Sequence, residues 1–293
     1  MARARLDGLQ YYKYHASSMS EVLVAKPFAN WSKPFVKWAG GKQALADRLI
    51  SHFPDRFDTY CEPFVGGGSI LFRLRPKQAI ICDANGWLMD TYIAIREDWR
   101  KVARILDTLR NTEREYLRIR KIKLGDLDLF HRAAHMIYLN KTCFRGLFRV
   151  NRDGRFNVPF GDYDRRYYDP EVLEQAAVQL RDVQICHGDF ELGLANITSR
   201  DFTYLDPPYY RLGGYSDFNR YTPLQFRAKD HMRLAAVCRE LHDRGVRWAL
   251  TNSDTPYVRA LFRGFRIRTI SARREINLDS RKRDISELLI TNY

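Results

Sequence analysis

The sequence has few of the features that mark membrane, secreted or disulfide-bonded proteins. None of its 293 residues fall in an apolar run approaching the roughly 18 residues that a membrane-spanning helix requires. The basic start, Met1 to Arg5, leads into polar and charged residues instead of a signal-peptide core, so we do not expect secretion. The five cysteines are widely spaced and include no Cys-x-x-Cys pair. We therefore expect reduced thiols and a cytoplasmic protein.

The chain carries an excess of positive charge. It has 49 Lys+Arg against 35 Asp+Glu, a formal net charge of +14. Such an excess favours a polyanionic partner, most often nucleic acid. Two segments carry nearly all of it: residues 96–170 hold 18 basic and 11 acidic residues, and residues 259–284 hold 9 and 3. We expect these two basic segments to flank one duplex.

Short apolar runs alternate with amphipathic stretches from Pro34 onward, which is typical of an α/β protein. Residues 148–158 alternate around Asp153-Gly154, a pair that supplies the positive φ angles of a tight hairpin turn. The pattern predicts strands over residues 59–64, 78–82, 183–186, 202–205, 247–250, 265–270 and 287–292, and helices over 69–74, 88–109, 127–143 and 228–242.

Residues 96–170 lack the strand–helix alternation of the rest of the chain and are rich in Arg, Lys and Tyr. The length fits one large domain that carries an insertion. We predict an α/β catalytic domain over residues 31–95 and 178–293, an inserted, mostly helical domain with a β-hairpin over 96–177, and an N-terminal arm over 1–30.

A glycine-rich turn follows the first predicted strand, in Glu62-Pro63-Phe64-Val65-Gly66-Gly67-Gly68. Glycines let the backbone approach a ligand closely, and the following helix offers free N–H groups. Asp83 ends the next predicted strand 21 residues after Glu62, the spacing at which nucleotide-binding α/β units hold ribose hydroxyls. Each feature alone is often structural; together they favour a cofactor site.

A second motif, Asp206-Pro207-Pro208-Tyr209, follows the predicted strand 202–205. Two prolines cannot continue a strand, so they place a rigid turn at its carboxyl end, the edge where open α/β sheets bind ligands. The turn presents a carboxylate, a backbone carbonyl and an aromatic face. These groups can accept hydrogen bonds from an amino group and stack on its ring, although an ordinary turn with an exposed aspartate is the plain alternative.

Two further groups of residues have weaker signals. Lysines and an aromatic surround paired glycines in residues 35–42, which suits a carboxylate or phosphate, or an ordinary loop. His131 and His135 are spaced as on one helix face, but the glutamate of the zinc-helix motif and a third ligand are missing from the pattern. We expect no metal site.

In this order, Lys37-Trp38-Ala39-Gly40-Gly41-Lys42, the Glu62 to Gly68 turn and the Asp206 to Tyr209 turn resemble the Dam-type (alpha group) DNA adenine-N6 methyltransferases. Residues 140–149 with 155–161 are similar to that family's DNA-reading hairpin. Residues 250–255 and 281–293 also match, so the resemblance extends over about residues 33–293.

The resemblance implies a Rossmann-like methyltransferase sheet, S-adenosylmethionine as the methyl donor, double-stranded DNA as the partner, and no metal. The implied catalytic residues are Asp206, Pro207, Pro208 and Tyr209. Asp206 and the Pro207 carbonyl would accept hydrogen bonds from N6 of a flipped adenine, on which Tyr209 stacks. The implied cofactor-binding residues are Trp38, Gly40, Gly41, Lys42, Glu62, Phe64, Gly66, Gly68, Asp83, Asp189, Phe190 and Asp206.

The resemblance also implies a set of DNA-contacting residues and makes GATC the expected target. Arg145 departs from the small amide that is common in the family at its position. Arginine at position 149 suits bidentate contact with guanine O6 and N7. The implied DNA-binding residues are Lys37, Phe144, Arg145, Leu147, Arg149, Asn157, Pro159 and Arg281.

Two other interpretations stay open at this stage. Pro-Pro-Tyr turns also occur in enzymes that methylate RNA or protein, although those usually lack a basic insertion between cofactor and catalytic motifs. A catalytically silent DNA-binding regulator on this scaffold would show degraded motifs, whereas both motifs here are intact. A solitary enzyme, the protective half of a restriction–modification system and a phage enzyme acting in a bacterial host all fit the sequence.

Overall fold

The computed structural model describes residues 5–6, 9–10, 33–151, 153–210, 226–273 and 284–293. Near the start, β1 (Arg5–Leu6) pairs antiparallel with β2 (Leu9–Gln10). Within the described ranges, no helix combines the length and apolar character needed to cross a membrane.

A seven-stranded sheet forms the centre of the fold, in the order β5-β4-β3-β6-β7-β9-β8. The first five strands of this order are parallel, and β9 lies antiparallel between β7 and β8. Strands β3 and β6 are buried along their whole length, as expected for a parallel sheet covered on both faces. The strands are β3 (Tyr60–Glu62), β4 (Ala79–Asp83), β5 (Val183–His187), β6 (Phe202–Leu205), β7 (Arg247–Ser253), β8 (Arg266–Arg273) and β9 (Asp284–Thr291).

Strand order reverses between β3 and β6. The chain passes outward from β3 to β4 and β5, and then returns to β6 on the other side of β3. Ligands bind at such switch points because the loops after the two strands diverge and leave a crevice at their carboxyl ends. The two predicted motifs follow β3 and β6, so the topology brings Glu62 and Asp206 to one crevice.

The α/β fold class is confirmed, and the strands and helices lie close to the predicted positions. The predicted helix 69–74 and strand 202–205 have the observed bounds. The next helix begins at Gly86, two residues before the prediction, because the Asn85 side chain accepts a hydrogen bond from the Leu88 amide. The helices are α1 (Ala46–Ile50), α2 (Ser69–Leu74), α3 (Gly86–Thr108), α4 (Glu113–Lys121), α5 (Leu129–Thr142), α6 (Pro170–Leu180), α7 (Phe190–Leu194), α8 (Ala228–Asp243) and α9 (Pro256–Leu261).

Two helices of the basic segment 96–170 and its margin were not predicted. Thr112 accepts a hydrogen bond from the Glu115 amide at the start of α4, and Asp169 accepts one from Glu171 at the start of α6. Both N-caps are visible in the sequence, but the high charge of α4 hid its periodicity. Helix α3 packs on α5 and α6 and crosses residue 96, with a non-helical kink at Asp98.

The chain reverses direction over residues 148–158, but it does not form the regular hairpin strands that the alternation predicts. Val150 and Phe156 form an isolated antiparallel bridge. The Asn151 side chain accepts hydrogen bonds from the amides of Asp153 and Arg155, so these donors face the turn and not the opposite strand. The inner side chains Phe148 and Phe156 still pack together, with ring centroids 5.5 Å apart.

Candidate active site

The carboxylate of Asp206 is held on both oxygens at the carboxyl end of β6. Its Oδ2 lies 2.8 Å from Nζ of Lys42, and its Oδ1 accepts a 2.7 Å hydrogen bond from the Thr251 hydroxyl. Thr251 belongs to β7, the neighbouring strand. Contacts from two sides orient the carboxylate, whose side chain is 17% exposed and reachable by a ligand.

Lys42 places a buried ammonium group in the crevice. Its Nζ also donates to the Gly40 carbonyl at 2.7 Å and lies 4.8 Å from the centre of the Tyr209 ring. The turn that delivers it uses Gly40 at φ +81°, a backbone conformation that glycine adopts without steric cost. Lys42 thus links the segment 35–42 to both ends of the Asp206 to Tyr209 turn.

The turn after β6 is fixed by the strands beside it. Pro207 is buried and Pro208 exposed. The hydroxyl of Tyr209 donates to Oε2 of Glu287 on β9 at 2.8 Å. The Tyr210 amide donates to Oδ1 of Asn252 at 3.2 Å. Burial, followed by the charges of Asp206 and Glu287, raises the pKa of Tyr209 well above its ordinary value, so its hydroxyl stays protonated and remains a donor.

Glu62 is a buried acid at the end of β3. The Tyr60 hydroxyl donates to its Oε2 at 2.9 Å. Burial raises the pKa of Glu62 to about 8, with repulsion from Asp206 adding to the effect and the Tyr60 bond opposing it. A cationic ligand bound beside this carboxyl group would favour its ionised form.

Asp83 lies at the end of β4 and anchors the glycine-rich turn. Its Oδ2 accepts a hydrogen bond from the Gly66 amide at 3.0 Å, and its Oδ1 accepts one from the Asn85 amide at 2.9 Å. Burial raises the pKa of Asp83 to about 6, and these two bonds limit the rise. A carboxylate held by the backbone at this place is suited to accept hydrogen bonds from ribose hydroxyls.

Glycine is required at two positions of the turn. Gly66 has φ +48°, and a Cβ there would lie 2.7 Å from Cδ1 of Trp38. Gly68 has φ +72°, and a Cβ there would lie 2.6 Å from the Tyr92 hydroxyl. Trp38 in turn stacks on Phe148, with ring centroids 5.0 Å apart and planes at 22°. Trp38 therefore joins the glycine-rich turn to the basic segment 96–170.

Asp189 and Phe190 follow β5, the next strand of the same edge. Phe190 is buried and stacks on Phe64 with centroids 5.3 Å apart. Asp189 is exposed and pairs with Arg233 at 2.6 Å. Phe226, which the sequence did not indicate, meets the Phe64 ring edge-on at 5.7 Å. Glu62, Asp83 and the aromatic rings thus extend the crevice from β6 to β5. The Asp189 side chain points to solvent.

This set of side chains fits S-adenosylmethionine. Carboxyl groups follow β3, β4 and β6, and one buried ammonium, Lys42, lies among them. A ligand that carries positive charge and ribose hydroxyls complements such a set. The close packing around Gly66 and Gly68 leaves the turn's backbone as the ligand-facing surface.

Four of the predicted DNA-contacting side chains lie in or next to the reversal at 148–158. Phe148, Val150, Phe156 and Val158 are buried. The four predicted residues alternate with these buried ones along the chain and are exposed or partly exposed: Leu147, Arg149, Asn157 and Pro159. Nε of Arg149 donates to Oδ1 of Asn157 at 2.8 Å, so two predicted base-contacting residues already touch.

Phe144 and Arg145 precede this reversal in the chain. Phe144 is 46% exposed, which is unusual for a large apolar side chain. Arg145 has φ 58°, a left-handed conformation that asparagine adopts more readily than arginine. Its guanidinium lies 5.2 Å from the Phe144 ring centre. The backbone at position 145 thus explains why a small amide is suited to it.

Asn140 is a functional candidate at the start of the segment 140–149, and the sequence motifs assign it no role. Its Oδ1 accepts a 2.7 Å hydrogen bond from the Lys37 amide, and its Nδ2 donates to the Lys37 carbonyl at 2.8 Å. The same Nδ2 contacts the Gly146 carbonyl at 3.4 Å. Asn140 is fully buried, and a buried amide needs such hydrogen-bond partners. Asn140 joins the Lys37 motif to the segment that carries Phe144 and Leu147.

Some predicted residues lie apart from the crevice or outside the described ranges. Arg281 is outside the described residues. His131 pairs with Asp128 at 3.0 Å, and burial lowers the pKa of His135 to about 4. Among the described residues, no group of three or more His, Cys, Asp or Glu side chains is placed to hold a metal ion.

Comparison with known proteins gives the family. A type II methyltransferase of Methanocaldococcus jannaschii, M.MjaIII, is 37% identical over 89% of this chain and 99% of its own length. The Lactococcus lactis type II methyltransferase M1.LlaDCHI is 33% identical, with 89% and 95% covered. The DNA adenine methylase of Escherichia coli is 28% identical, with 88% and 94% covered. The model of the D12 class N6 adenine-specific DNA methyltransferases matches residues 38–276, and the chain belongs to this family of enzymes.

Proposed function

We propose that this protein transfers a methyl group from S-adenosylmethionine to N6 of an adenine in double-stranded DNA, within GATC, after rotating that adenine out of the helix. The observation that carries the proposal is the Asp206 carboxylate, held by Lys42 and Thr251 beside the Tyr209 ring at the strand-order switch point.

Bound S-adenosylmethionine supplies a methyl group attached to positively charged sulfur. Glu62, Asp83 and the Gly66 to Gly68 turn would hold it, together with Trp38, and Phe64 with Phe190 would contact its adenine. The carboxyl groups favour a cationic ligand, and its positive charge would favour the ionised form of Glu62, whose pKa lies near 8 in the free protein. Positioning and electrostatics then supply most of the catalysis.

Asp206 and the Pro207 carbonyl act on the amino group of the target. Two acceptors that bind its two N–H groups draw the nitrogen lone pair out of conjugation with the ring and make it nucleophilic. A carboxylate has several lone-pair positions, so Asp206 can accept this bond while keeping the Thr251 contact. The proton released by the amine passes to Asp206 or to solvent.

The target base must leave the duplex to reach Asp206, at a cost of about a few kcal/mol for unstacking and unpairing. Tyr209 offers a ring face for stacking, and the exposed Phe144 lies on the insertion at the side of Lys37. We infer that Phe144 fills the space that the base vacates. Lys37, Leu147, Arg149, Asn157 and Pro159 would read the neighbouring bases.

The test is transfer of tritiated methyl from S-adenosylmethionine to duplexes that differ only in GATC, followed by chromatography of the nucleosides. We expect N6-methyladenine in GATC duplexes alone. Asp206→Ala is the matched variant: it should bind the duplex and transfer no methyl. Equal labelling of duplexes without GATC would reject the target sequence, and label absent from every duplex would reject the proposed activity.

A further inference from the structure

Glu287 is a buried acid on β9 that contacts the catalytic turn. It is 9% exposed and lies opposite Ser253 of β7 and Ile270 of β8, in the interior of the antiparallel part of the sheet. Its Oε2 accepts the hydroxyl hydrogen of Tyr209 at 2.8 Å, although 78 residues separate the two in the chain. Neither the motifs nor the family assignment gives Glu287 a role.

The hydroxyl bond fixes the position of the Tyr209 ring. A tyrosine side chain has two principal torsions, χ1 and χ2, and its hydroxyl lies on the axis of χ2. The bond to Glu287 therefore restricts χ1 directly, and it restricts χ2 because a phenol O–H prefers to lie in the plane of its ring. In the observed orientation Nζ of Lys42 lies over one ring face, 4.8 Å from the centroid, and 2.8 Å from Asp206. The ring and the catalytic carboxylate therefore have Lys42 as a common neighbour.

A purely structural role would not need a carboxylate at this position. Burying an ionised group is costly, and an apolar residue of similar volume usually serves the fold as well. After burial, the charges of Asp206 and Glu287 each raise the pKa of Tyr209, which keeps the phenol a hydrogen-bond donor. The acid is thus placed where it acts on the Tyr209 hydroxyl.

We propose that Glu287 is a positioning residue, which holds the Tyr209 ring in the orientation that stacks on the extruded adenine beside Asp206. The inference rests on the proposed role of Tyr209 in binding that base. Glu287 itself touches neither the base nor the methyl donor.

The experiment compares Glu287→Gln, Glu287→Leu, Tyr209→Phe and the Tyr209→Phe/Glu287→Leu double variant. Each is assayed for kcat and KM on a GATC duplex, and for emission of 2-aminopurine placed at the target position. Tyr293→Phe is the control, because it also removes one tyrosine hydroxyl bond, that to the His52 carbonyl at 2.9 Å, at the end of the same sheet. Thermal unfolding verifies that each variant is folded.

We expect Glu287→Leu to lower kcat about 10- to 100-fold, the range for losing a hydrogen bond to a charged group. KM should change less than about threefold, and 2-aminopurine should become brighter because a tilted ring quenches it less. Glu287→Gln keeps an acceptor oxygen and should restore most of kcat. Tyr209→Phe should show the same two changes, and the double variant should be no worse than either single one.

Three results would overturn the inference. The first is a wild-type kcat and wild-type emission in Glu287→Leu, and the second is losses of kcat that add up in the double variant. The third is a loss of kcat in both Glu287→Gln and Tyr293→Phe as large as that in Glu287→Leu. If wild-type protein methylates no adenine in any duplex, the proposed function fails instead, and that result is visible in the wild-type arm alone.

Discussion

At the scale of single residues, the crevice depends on carboxyl groups that neighbouring side chains hold in place. Asp206 is held by Lys42 and Thr251, and Glu62 by Tyr60. Asp206 has a cation beside it, whereas Glu62 is buried with a hydroxyl as its hydrogen-bond donor. We expect these surroundings to separate the roles of the two acids, with Asp206 oriented for the target amine and Glu62 placed for a cationic ligand.

Glu62 makes the stability of the free protein depend on pH. Its pKa is raised from an ordinary value of 4.5 to about 8, so folding takes up a proton between these two pH values. Stability contributed by this site is therefore complete below about pH 4.5 and falls as pH rises to about 8. We expect Glu62→Gln to be no more stable than wild type at pH 4.5 and more stable by roughly 5 kcal/mol above pH 8.

Urea unfolding of both proteins from pH 4.5 to 8.5, without cofactor, measures this difference. Glu113→Gln is the control, because Glu113 is exposed on α4 and its loss reports only the general effect of removing one carboxylate. A stability difference between Glu62→Gln and wild type that is the same at every pH would contradict the prediction.

At the scale of elements, the reversal at residues 148–158 works as a support for one row of side chains. Its inner aromatic residues Phe148 and Phe156 pack beneath, and Phe148 stacks on Trp38 of the cofactor motif. The outer row contains Arg149 and Asn157, already hydrogen-bonded to each other. Because Phe148 contacts Trp38, the predicted DNA-contacting row and the predicted cofactor site are positioned against each other.

Arg149 is expected to read one base pair. We expect Arg149→Ala to reduce the preference for GATC over a duplex changed at a single base pair by about 5- to 150-fold, equivalent to about 1–3 kcal/mol. The measurement is kcat/KM for GATC and for each singly substituted duplex. Selectivity unchanged at every position would remove Arg149 from the base-contacting set.

Arg155→Ala is the matched control for this experiment. Arg155 is exposed on the same reversal and carries the same charge, but it is not among the predicted base-contacting residues. Its loss should weaken binding to all duplexes alike, which distinguishes the effect of charge from the effect of base contact.

At the scale of the whole molecule, strand direction decides which basic residues lie near the crevice. Strand β8 is parallel to β7, so it ends at Arg273 on the same edge as Asp206, whereas it begins at Arg266 on the opposite edge. Asn140 and Phe148 of the basic segment 96–170 contact Lys37 and Trp38 beside the crevice. Among the described residues of the second basic segment, the end of β8 therefore lies on the edge where a duplex would meet Asp206, and its start lies on the opposite edge.

This geometry predicts how salt changes DNA affinity. The logarithm of the affinity should fall linearly with the logarithm of salt concentration, by about 0.9 for each phosphate neutralised. We expect Arg155→Ala to make the slope shallower by about 0.9, and Arg266→Ala to leave it unchanged. Titrations of a fluorescent duplex from 50 to 300 mM salt, roughly the range in which such slopes are measured, provide the test. A slope near zero for the wild-type protein would contradict the prediction that its basic residues neutralise phosphates of the duplex.

The sequence by itself determined the class of the protein, its buried strands and its motifs. Strands such as Phe202–Leu205 are short apolar runs bounded by polar residues and proline, so local composition specifies them. The turns after Glu62 and before Tyr209 were also recognisable, because glycine and proline restrict the backbone wherever they occur. The helix α4 was missed because its charge concealed its buried side.

Only the tertiary structure decided which side chains meet. Lys42 reaches Asp206 across 164 residues of sequence, Lys37 reaches Asn140 across 103, and Tyr209 reaches Glu287. These contacts depend on strand order and on the direction of β9, which local sequence patterns do not specify because side chains on distant strands become neighbours only when the sheet assembles. Catalytic residues are visible in the sequence as motifs, whereas the residues that hold them in place become visible only in the folded sheet.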